Sequence, residues 1–276
     1  MLVAGSRTAL LVAAYRGRHS TRADAIVQDP WAARLAGAEG NELAERQDAL
    51  YPHLELWVGV RTAYLDAHVA TWTKPPHDFR QVVILGAGLD MRAVRLAAPG
   101  LRFFEVDHPA TQANKRARLA ATGAPADRAA YVACDFETER FTDKLAASGF
   151  DRAAPAVILW EGVTPYLPEP AIRATLRAIA HECHPRSILV FDHLLKKVTQ
   201  RTEAKDDTQA FVDALGERVV WGTNDPIPML YEEGFRHARS LSFDEACLTL
   251  TRTYAREREF RFQRIVWTSI TAPSPI

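Results

Sequence analysis

Residues 81–90 read QVVILGAGLD, and this stretch decides how the rest of the chain is expected to fold. The apolar run VVIL is rich in β-branched residues, which is typical of a strand buried on both faces of a sheet. Gly86 and Gly88 follow at once, and Asp90 opens a helix-like segment. Glycines at such a turn let the backbone bend sharply and let a ligand approach the main chain. The order of strand, glycine turn and helix start therefore predicts a nucleotide-type binding site.

Strand-like and helix-like segments alternate after this turn. The strand-like segments are LRFFEVD (101–107), AAYVACD (129–135), AVILWEG (156–162) and SILVFDH (187–193). Such alternation predicts parallel strands joined by right-handed crossovers. FRHARSLS and EFRFQRIVWTSI, near the end of the chain, add two further strands. The expected fold is α/β: a Rossmann-like, doubly wound, mostly parallel seven-stranded sheet with helices on both faces.

The flanking segments set the expected organisation of a single domain over residues 1–276. Helical patterns before the first strand predict an N-terminal helical cap at 1–75, followed by a cofactor-binding core at 76–195. The polar, charge-mixed segment 196–230 interrupts the alternation, so we expect a helical lid or insertion over the substrate side. Residues 231–276 are expected to supply the C-terminal strands.

The overall composition limits the classes of partner. Lys and Arg together number 34, as do Asp and Glu, so the formal net charge is +0 and no basic excess indicates nucleic-acid binding. The three cysteines are scattered without metal-ligand spacing, which suits a reducing compartment. No apolar run approaches the about 20 residues that a membrane span needs, and the N-terminus carries no evident targeting segment. We expect a cytoplasmic enzyme without metal, membrane or nucleic acid; monomer and homodimer both stay open.

Acidic residues follow consecutive strands of the predicted sheet. In open α/β sheets, ligands bind at the carboxyl ends of the strands. Asp107 ends the second strand, about 20 residues after the glycines, where a ribose-binding carboxylate is expected. The third, fourth and fifth strands end in Asp135-Phe136, Glu161-Gly162 and Asp192-His193. Each acid alone is compatible with a helix cap or a solvated turn, but together they suit a ligand that offers hydroxyls, an amino group and a cation.

The glycine turn also discriminates between cofactors. A dinucleotide fingerprint has a third glycine that allows tight packing of helix on strand, and that position is Met91 here. Asp90 beside the turn would repel the phosphates of a dinucleotide. S-adenosylmethionine carries a sulfonium cation and no phosphate, so it tolerates Asp90 as a neighbour. The residues favour S-adenosylmethionine over NAD, with a nicotinamide-dependent oxidoreductase as the alternative.

Arg61 stands out in the long helix predicted over residues 53–72. It falls on the same helical stripe as Leu54, Val58 and Leu65. An arginine on an apolar face costs free energy unless its charge is paired. Arg61 is therefore interpreted either as part of a structural ion pair or as a cation reserved for an anionic group of a ligand.

Several segments resemble the leucine carboxyl methyltransferase family, which includes bacterial polyketide and other small-molecule O-methyltransferases. They are SRTALLVAA, VGVRTAYLD, VILGAGLDMRAVRL, FFEVDHP, CDF and WEGVTPYL, and they follow the family's order from residue 6 to about residue 193. The resemblance implies S-adenosylmethionine-dependent O-methylation of a carboxylate or hydroxyl on a small-molecule acceptor, in secondary metabolism of the polyketide type. Methylation of a protein C-terminus, as in the family's namesake, stays open, as does a binding protein without turnover.

The resemblance also assigns residues to the methionine part of the cofactor. It implies that Arg7 and Arg61 hold the carboxylate and that Glu161 lies beside the amino group. The eukaryotic phosphatase-modifying members carry Lys where this chain has Arg7. The reach of Arg7 towards the cofactor is therefore a point for the structure to decide.

The adenosine part receives a second set of residues from the resemblance. Gly86 and Gly88 would lie under the cofactor, and Asp107 would bind the ribose hydroxyls. Asp135 would accept a hydrogen bond from the adenine amino group, while the backbone of Phe136 contacts the ring.

Candidates for the chemical step depend on the acceptor. A carboxylate is ionised at neutral pH and needs no base. A hydroxyl benefits from a general base, for which His193 and His108 are the candidates. Tyr166, in the segment after Glu161, is the candidate for orienting the acceptor through its hydroxyl; ordinary packing in the core is the alternative.

Overall fold

The computed structural model describes residues 6–49, 54–136, 138–199, 219–252 and 262–272. Its strands are β1 (Gln81–Leu85), β2 (Arg102–Asp107), β3 (Ala129–Ala133), β4 (Ala156–Trp160), β5 (Ile188–Leu194), β6 (His237–Ser242) and β7 (Gln263–Ser269). They form one seven-stranded sheet in the order β3-β2-β1-β4-β5-β7-β6. Strands β1 to β5 pair in parallel, whereas β7 runs antiparallel to both β5 and β6. The predicted Rossmann-like, mostly parallel sheet is confirmed.

Helices precede, connect and follow the strands. They are α1 (Arg7–Ser20), α2 (Ala32–Asp48), α3 (Leu54–Thr73), α4 (Arg92–Arg95), α5 (Pro109–Thr122), α6 (Phe141–Ala147), α7 (Glu169–Glu182), α8 (Ile227–Glu232) and α9 (Phe243–Thr251). Short 3-10 turns span Thr164–Tyr166 and Lys196–Val198. Of the helices described, none has the length and apolar character needed to cross a membrane. Most of the predicted lid falls on residues 200–218, which lie outside the described residues.

Both faces of the sheet are covered. On β1, Val82 and Ile84 join one core cluster, and Val83 and Leu85 join the other. The first cluster includes side chains of α1, α3 and α9, and the second includes side chains of α6, α7 and α8. Every residue of β1, β4 and β5 is consequently buried. A strand with two covered faces needs apolar side chains on both, which explains the continuous apolar runs in the sequence.

Helix α1 is placed directly against the glycine turn. Its start is capped by Ser6, whose hydroxyl oxygen accepts a hydrogen bond from the backbone N–H of Ala9 at 3.1 Å. A side chain on Gly88 would bring its Cβ to 3.1 Å from the Cβ of Ala9. The helix therefore forms a wall over the carboxyl end of β1.

Candidate active site

A cavity of about 290 Å³ lies at the carboxyl ends of the parallel strands. The glycine turn after β1, the ends of β2, β4 and β5, and helices α1 and α3 contribute its walls. Among the described residues, four carboxylates line it: those of Asp90, Asp107, Glu161 and Asp192. This is the edge where ligands bind in sheets of this topology. Most of the acidic strand ends identified in the sequence therefore meet at one cavity.

Glycine is required in the turn after β1. Gly86 and Gly88 have φ angles of +68° and +48°, in the left-handed region that L side chains rarely adopt. A methyl group on Gly86 would overlap the side chain of Val163, which follows β4. Both glycines line the cavity, so the bare backbone of the turn faces its interior.

Arg61 reaches from α3 into the cavity and is only 6% exposed. Its Nε donates to Glu161 Oε1 at 2.8 Å, and its Nη1 donates to Asp192 Oδ2 at 2.8 Å. The other oxygen of Asp192 accepts from the backbone N–H of Gly162 at 2.6 Å. The charge on the apolar helix face is therefore paired within the protein. This geometry agrees with the structural interpretation of Arg61 and leaves the guanidinium at the cavity wall.

Arg92 is a second buried cation behind the same carboxylates. It is 1% exposed, and its Nε donates to Asp66 Oδ1 at 2.6 Å. Its Nη1 donates to Glu161 Oε2 at 2.7 Å and also pairs with Asp90. Arg92 was not among the residues predicted from the sequence, although its position two residues after Asp90 was a signal. Glu161 is consequently held between two guanidinium groups, those of Arg61 and Arg92.

These cations set the ionisation of the cavity carboxyls. Burial alone would raise the pKa of Glu161, but the charges of Arg92 and Arg61 outweigh it, and the pKa lies below its ordinary value. Burial opposes ionisation of Asp90 too, yet Arg92, Arg16 and Lys115 lower its pKa to about 2. Both groups are therefore ionised at neutral pH and present negative charge to the cavity.

The second cavity-lining arginine is Arg16, and Arg7 is not among the residues that line the cavity. Arg7 is exposed, whereas Arg16 is 5% exposed. Arg16 Nε donates to Asp29 Oδ2 at 2.7 Å, and its Nη2 donates to the carbonyl oxygen of Leu89 at 2.6 Å. Arg16 thus ties α1 to the glycine turn. The contact from Arg7 to the cofactor that the resemblance implies stays a prediction.

Asp107 ties the end of β2 to the glycine turn. Its Oδ2 accepts from the backbone N–H of Gly88 at 2.6 Å, and its Oδ1 accepts from the N–H of His108 at 2.7 Å. Burial raises the pKa of Asp107 above its ordinary value. Each carboxylate oxygen has a second lone pair, so the group can accept further hydrogen bonds from a ligand in the cavity.

The two residues after β3 are placed differently. Phe136 is half-buried, lines the cavity and lies near Phe141, with 6.1 Å between the ring centroids. Asp135 is half-buried but is not among the lining residues. The backbone N–H of Asp135 donates to Glu139 Oε2 at 3.0 Å. The structure therefore brings Phe136, rather than Asp135, to the cavity wall.

His193 lies on the other face of the sheet from the cavity. Side chains alternate along β5, so Asp192 and Leu194 line the cavity while His193 points into the opposite layer. There its ring packs near Phe191 and Trp221, at centroid distances of 6.3 and 6.1 Å. The prediction of His193 as a general base is corrected for this reason.

The other two candidates for the chemical step do line the cavity. Tyr166 is half-buried in the turn after β4. His108 is exposed at the cavity edge, and its Nδ1 accepts from the backbone N–H of Ala110 at 3.2 Å. Of the two, only His108 carries a ring nitrogen that can accept a proton.

Replacing His193 by phenylalanine is expected to reduce the loss of unfolding free energy that occurs as the pH falls below about 6.5. Burial lowers the pKa of His193 from 6.5 to about 4. Between these values the unfolded chain binds more protons than the folded protein, so stability is fully present above pH 6.5 and is lost as the pH falls towards 4. Between pH 7.5 and pH 5 this loss amounts to about 2 kcal/mol for one group.

Urea denaturation of wild type and His193→Phe at pH 5 and pH 7.5 measures this effect. The drop in unfolding free energy should be about 2 kcal/mol smaller in the variant. Exposed His181 on α7 provides the control, because His181→Phe should keep the wild-type drop. Identical pH dependence in His193→Phe and wild type would show that this ring is not held neutral by burial.

The chain matches known proteins over most of its length. A family model described as leucine carboxyl methyltransferase matches residues 9–180. A protein from Saccharopolyspora erythraea, named as an inferred S-adenosyl-L-methionine-dependent methyltransferase, is 34% identical over 240 residues, which are 83% of this chain and 82% of that protein. A protein of the same description from Mycobacterium tuberculosis is 37% identical over 177 residues. That match covers 59% of this chain and 58% of the relative, which is less than two thirds of its length.

Solved structures share the fold. The crystal structure of an inferred methyltransferase from Thermobifida fusca superimposes with a TM-score of 0.61 at 16% identity. The superposition covers 95% of this chain and 94% of the other. At so low an identity, this likeness concerns the architecture alone.

Proposed function

Because the chain belongs to the leucine carboxyl methyltransferase family and is an S-adenosylmethionine-dependent methyltransferase, we propose that it methylates a carboxylate or hydroxyl oxygen of a small molecule. The acceptor class we favour is a polyketide-type secondary metabolite. One observation carries the proposal: a cavity with four carboxylates at the strand ends has an apolar wall from α1 and α3. That wall includes Leu11, Val12, Leu54, Trp57 and Val58.

The adenosine part of the cofactor fits the glycine turn and the end of β2. The positive φ angles of Gly86 and Gly88 leave the main chain open to close approach. Asp107 has the lone pairs to accept hydrogen bonds from the ribose hydroxyls. The ring of Phe136 offers a flat apolar surface for a purine. Asp135 precedes Phe136 in the segment after β3. Its role towards the adenine amino group stays part of the proposal.

The methionine part fits the ionic cluster at β4 and β5. Glu161 and Asp192 can accept from an ammonium group, and the Arg61 between them can donate to a carboxylate. The ionised Asp90 and Glu161 favour a cation in the cavity, since opposite charges attract strongly where water is scarce. When bound, the cofactor supplies a methyl group activated by its sulfonium centre. Arg7 stays a proposed partner of the carboxylate, and we infer that Arg16 fixes the turn.

The chain's own contribution to the reaction is alignment and exclusion of water. Holding two reactants in line lowers the barrier without any further catalytic group. The apolar wall keeps water away from the activated methyl group. Both Tyr166 and His108 line the cavity. We propose that Tyr166 orients the acceptor by its hydroxyl and that His108 accepts a proton from an alcohol or phenol. A carboxylate acceptor would leave both of these groups dispensable.

Calorimetry on the purified chain tests the cofactor part of this proposal. S-adenosylmethionine and S-adenosylhomocysteine should bind, and NADH should not. Radiolabelled S-adenosylmethionine then tests transfer to three acceptor sets: small carboxylic acids, hydroxylated aromatic compounds and a peptide that ends in leucine. Label in the first two sets supports the proposal. Label in the peptide alone would show that the acceptor is a protein C-terminus and not a small molecule.

A further inference from the structure

Gln263 is a largely buried glutamine at the edge of the cavity. It is the first residue of β7, it is 5% exposed, and it lines the cavity. In the described ranges its backbone pairs with β5, and its carboxamide makes no hydrogen bond. Neither polar atom of this carboxamide is among the buried atoms without a partner in the described residues, so the amide reaches the open space of the cavity, where it can bind a ligand.

The register of the sheet fixes where Gln263 lies relative to the ionic cluster. Gln263 is paired with Leu194, and Ile265 is paired with Asp192. Directly opposed residues of an antiparallel pair share a face, so Gln263 is on the face of Asp192 and Leu194. Two residues of strand correspond to about 7 Å, which places Gln263 one such step beyond the Asp192–Arg61 ion pair.

The cavity wall around Gln263 differs in chemical character from the wall around the ionic cluster of Arg61 and its carboxylates. The charged groups that line the cavity belong to the glycine turn, the strand ends, α1 and α3, and the arginines among them are paired with protein groups. Leu194 and Val219 line the cavity with Gln263, and neither carries a polar side chain. A neutral amide is therefore the polar feature of an otherwise apolar part of the wall.

We propose that Gln263 determines acceptor specificity by donating a hydrogen bond from its carboxamide to an oxygen of the acceptor. This inference rests on the proposed function, because it assigns the residue to the acceptor side of the same cavity. The acceptor it implies has an apolar body and a hydroxyl or carboxylate oxygen. A carboxamide can donate to either, and a site built around such a bond discriminates strongly against an analogue without the oxygen.

Three probes of one shape test the assignment: 4-propylphenol, 4-propylbenzoate and propylbenzene. Their dissociation constants are measured by ligand-observed NMR on the full chain saturated with S-adenosylhomocysteine. At least one oxygen-bearing probe should bind wild type about tenfold more tightly than propylbenzene, as one satisfied hydrogen bond allows. In Gln263→Leu that preference should fall to within about threefold.

A control variant distinguishes loss of acceptor recognition from the general effect of replacing a buried glutamine by leucine. Gln47 is 3% exposed, its Nε2 likewise has no partner in the described part of the chain, and it does not line the cavity. Gln47→Leu should keep the wild-type preference. Gln263→Glu provides a second variant of similar shape, which should reject 4-propylbenzoate by charge repulsion and still accept 4-propylphenol if the acceptor group is a hydroxyl. Affinity for S-adenosylhomocysteine should be unchanged in all three, which shows that the fold is intact.

Equal binding of the three probes to wild type, or binding of none, overturns the assignment. It is equally overturned if Gln263→Leu keeps the preference or if Gln47→Leu loses it. Failure of the proposed function is a separate outcome. In that case wild type shows the oxygen preference but transfers no labelled methyl group to either oxygen-bearing probe.

Discussion

Arg61→Ala should destabilise the fold by about 3–5 kcal/mol and abolish detectable binding of S-adenosylmethionine. The substitution leaves Asp192 with the Gly162 amide as its remaining described partner and removes one of two guanidinium partners from Glu161. Removing one side of a buried ion pair is far more costly than removing a surface pair, because a desolvated charge is left behind. Urea denaturation and calorimetry measure the two effects.

Two comparison variants show which effect belongs to the ion pairs. Arg140 is exposed and pairs with Glu182, so Arg140→Ala should cost less than about 1 kcal/mol. The double variant Arg61→Met, Asp192→Asn removes both charges and should recover part of the stability without recovering cofactor binding. If Arg61→Ala folds as wild type does and binds the cofactor with unchanged affinity, neither the pairing nor the binding role is correct.

Asp107→Ala should weaken the binding of S-adenosylmethionine by about 1–3 kcal/mol, that is, by about fivefold to 150-fold. The substitution removes the proposed acceptor of the ribose hydroxyls and also the acceptor of the Gly88 and His108 amides. Asp107→Asn keeps one carbonyl oxygen and should lose less. Calorimetry with S-adenosylhomocysteine, whose adenosine part is the same, gives the affinities.

An analogue of S-adenosylhomocysteine without the ribose hydroxyls separates the two roles of Asp107. If the carboxylate binds the hydroxyls, this analogue should bind wild type and Asp107→Ala with similar affinity. Asp127→Ala, at an exposed acid before β3, serves as the neutral comparison. A loss that is equally large with the analogue would assign Asp107 to the shape of the turn alone.

The sheet was predictable because its signals are local. The run VVIL needs no distant partner to indicate a strand with two buried faces, and the alternation of segments gives the parallel order by simple rules of connection. The acidic strand ends followed from that topology, since parallel strands bring their carboxyl ends to one edge. The position of Asp90, Asp107 and Glu161 at one cavity was therefore predictable from the sequence.

The side chains that were misplaced or missed from the sequence depend on orientation or on distant partners. His193 is next to a cavity residue, but a shift of one position along a strand turns a side chain to the other face. Arg7 and Arg16 lie on the same helix, and the choice between them depends on where Asp29 and Leu89 pack. Arg92 pairs with Asp66 from another helix. Gln263 is recognised by its place in the cavity wall, which no sequence pattern records.

The division of the cavity into an ionic end and an apolar wall bears on how such an enzyme diversifies. Leu54 and Val58 line the wall on α3, and neither belongs to the network formed by Arg61, Arg92 and their carboxylates. If the ionic end holds the methyl donor as proposed, exchanges at the wall would alter the accepted molecule while affinity for the donor persists. Enzymes built on this scaffold would then differ in what they modify and share one way of holding the donor.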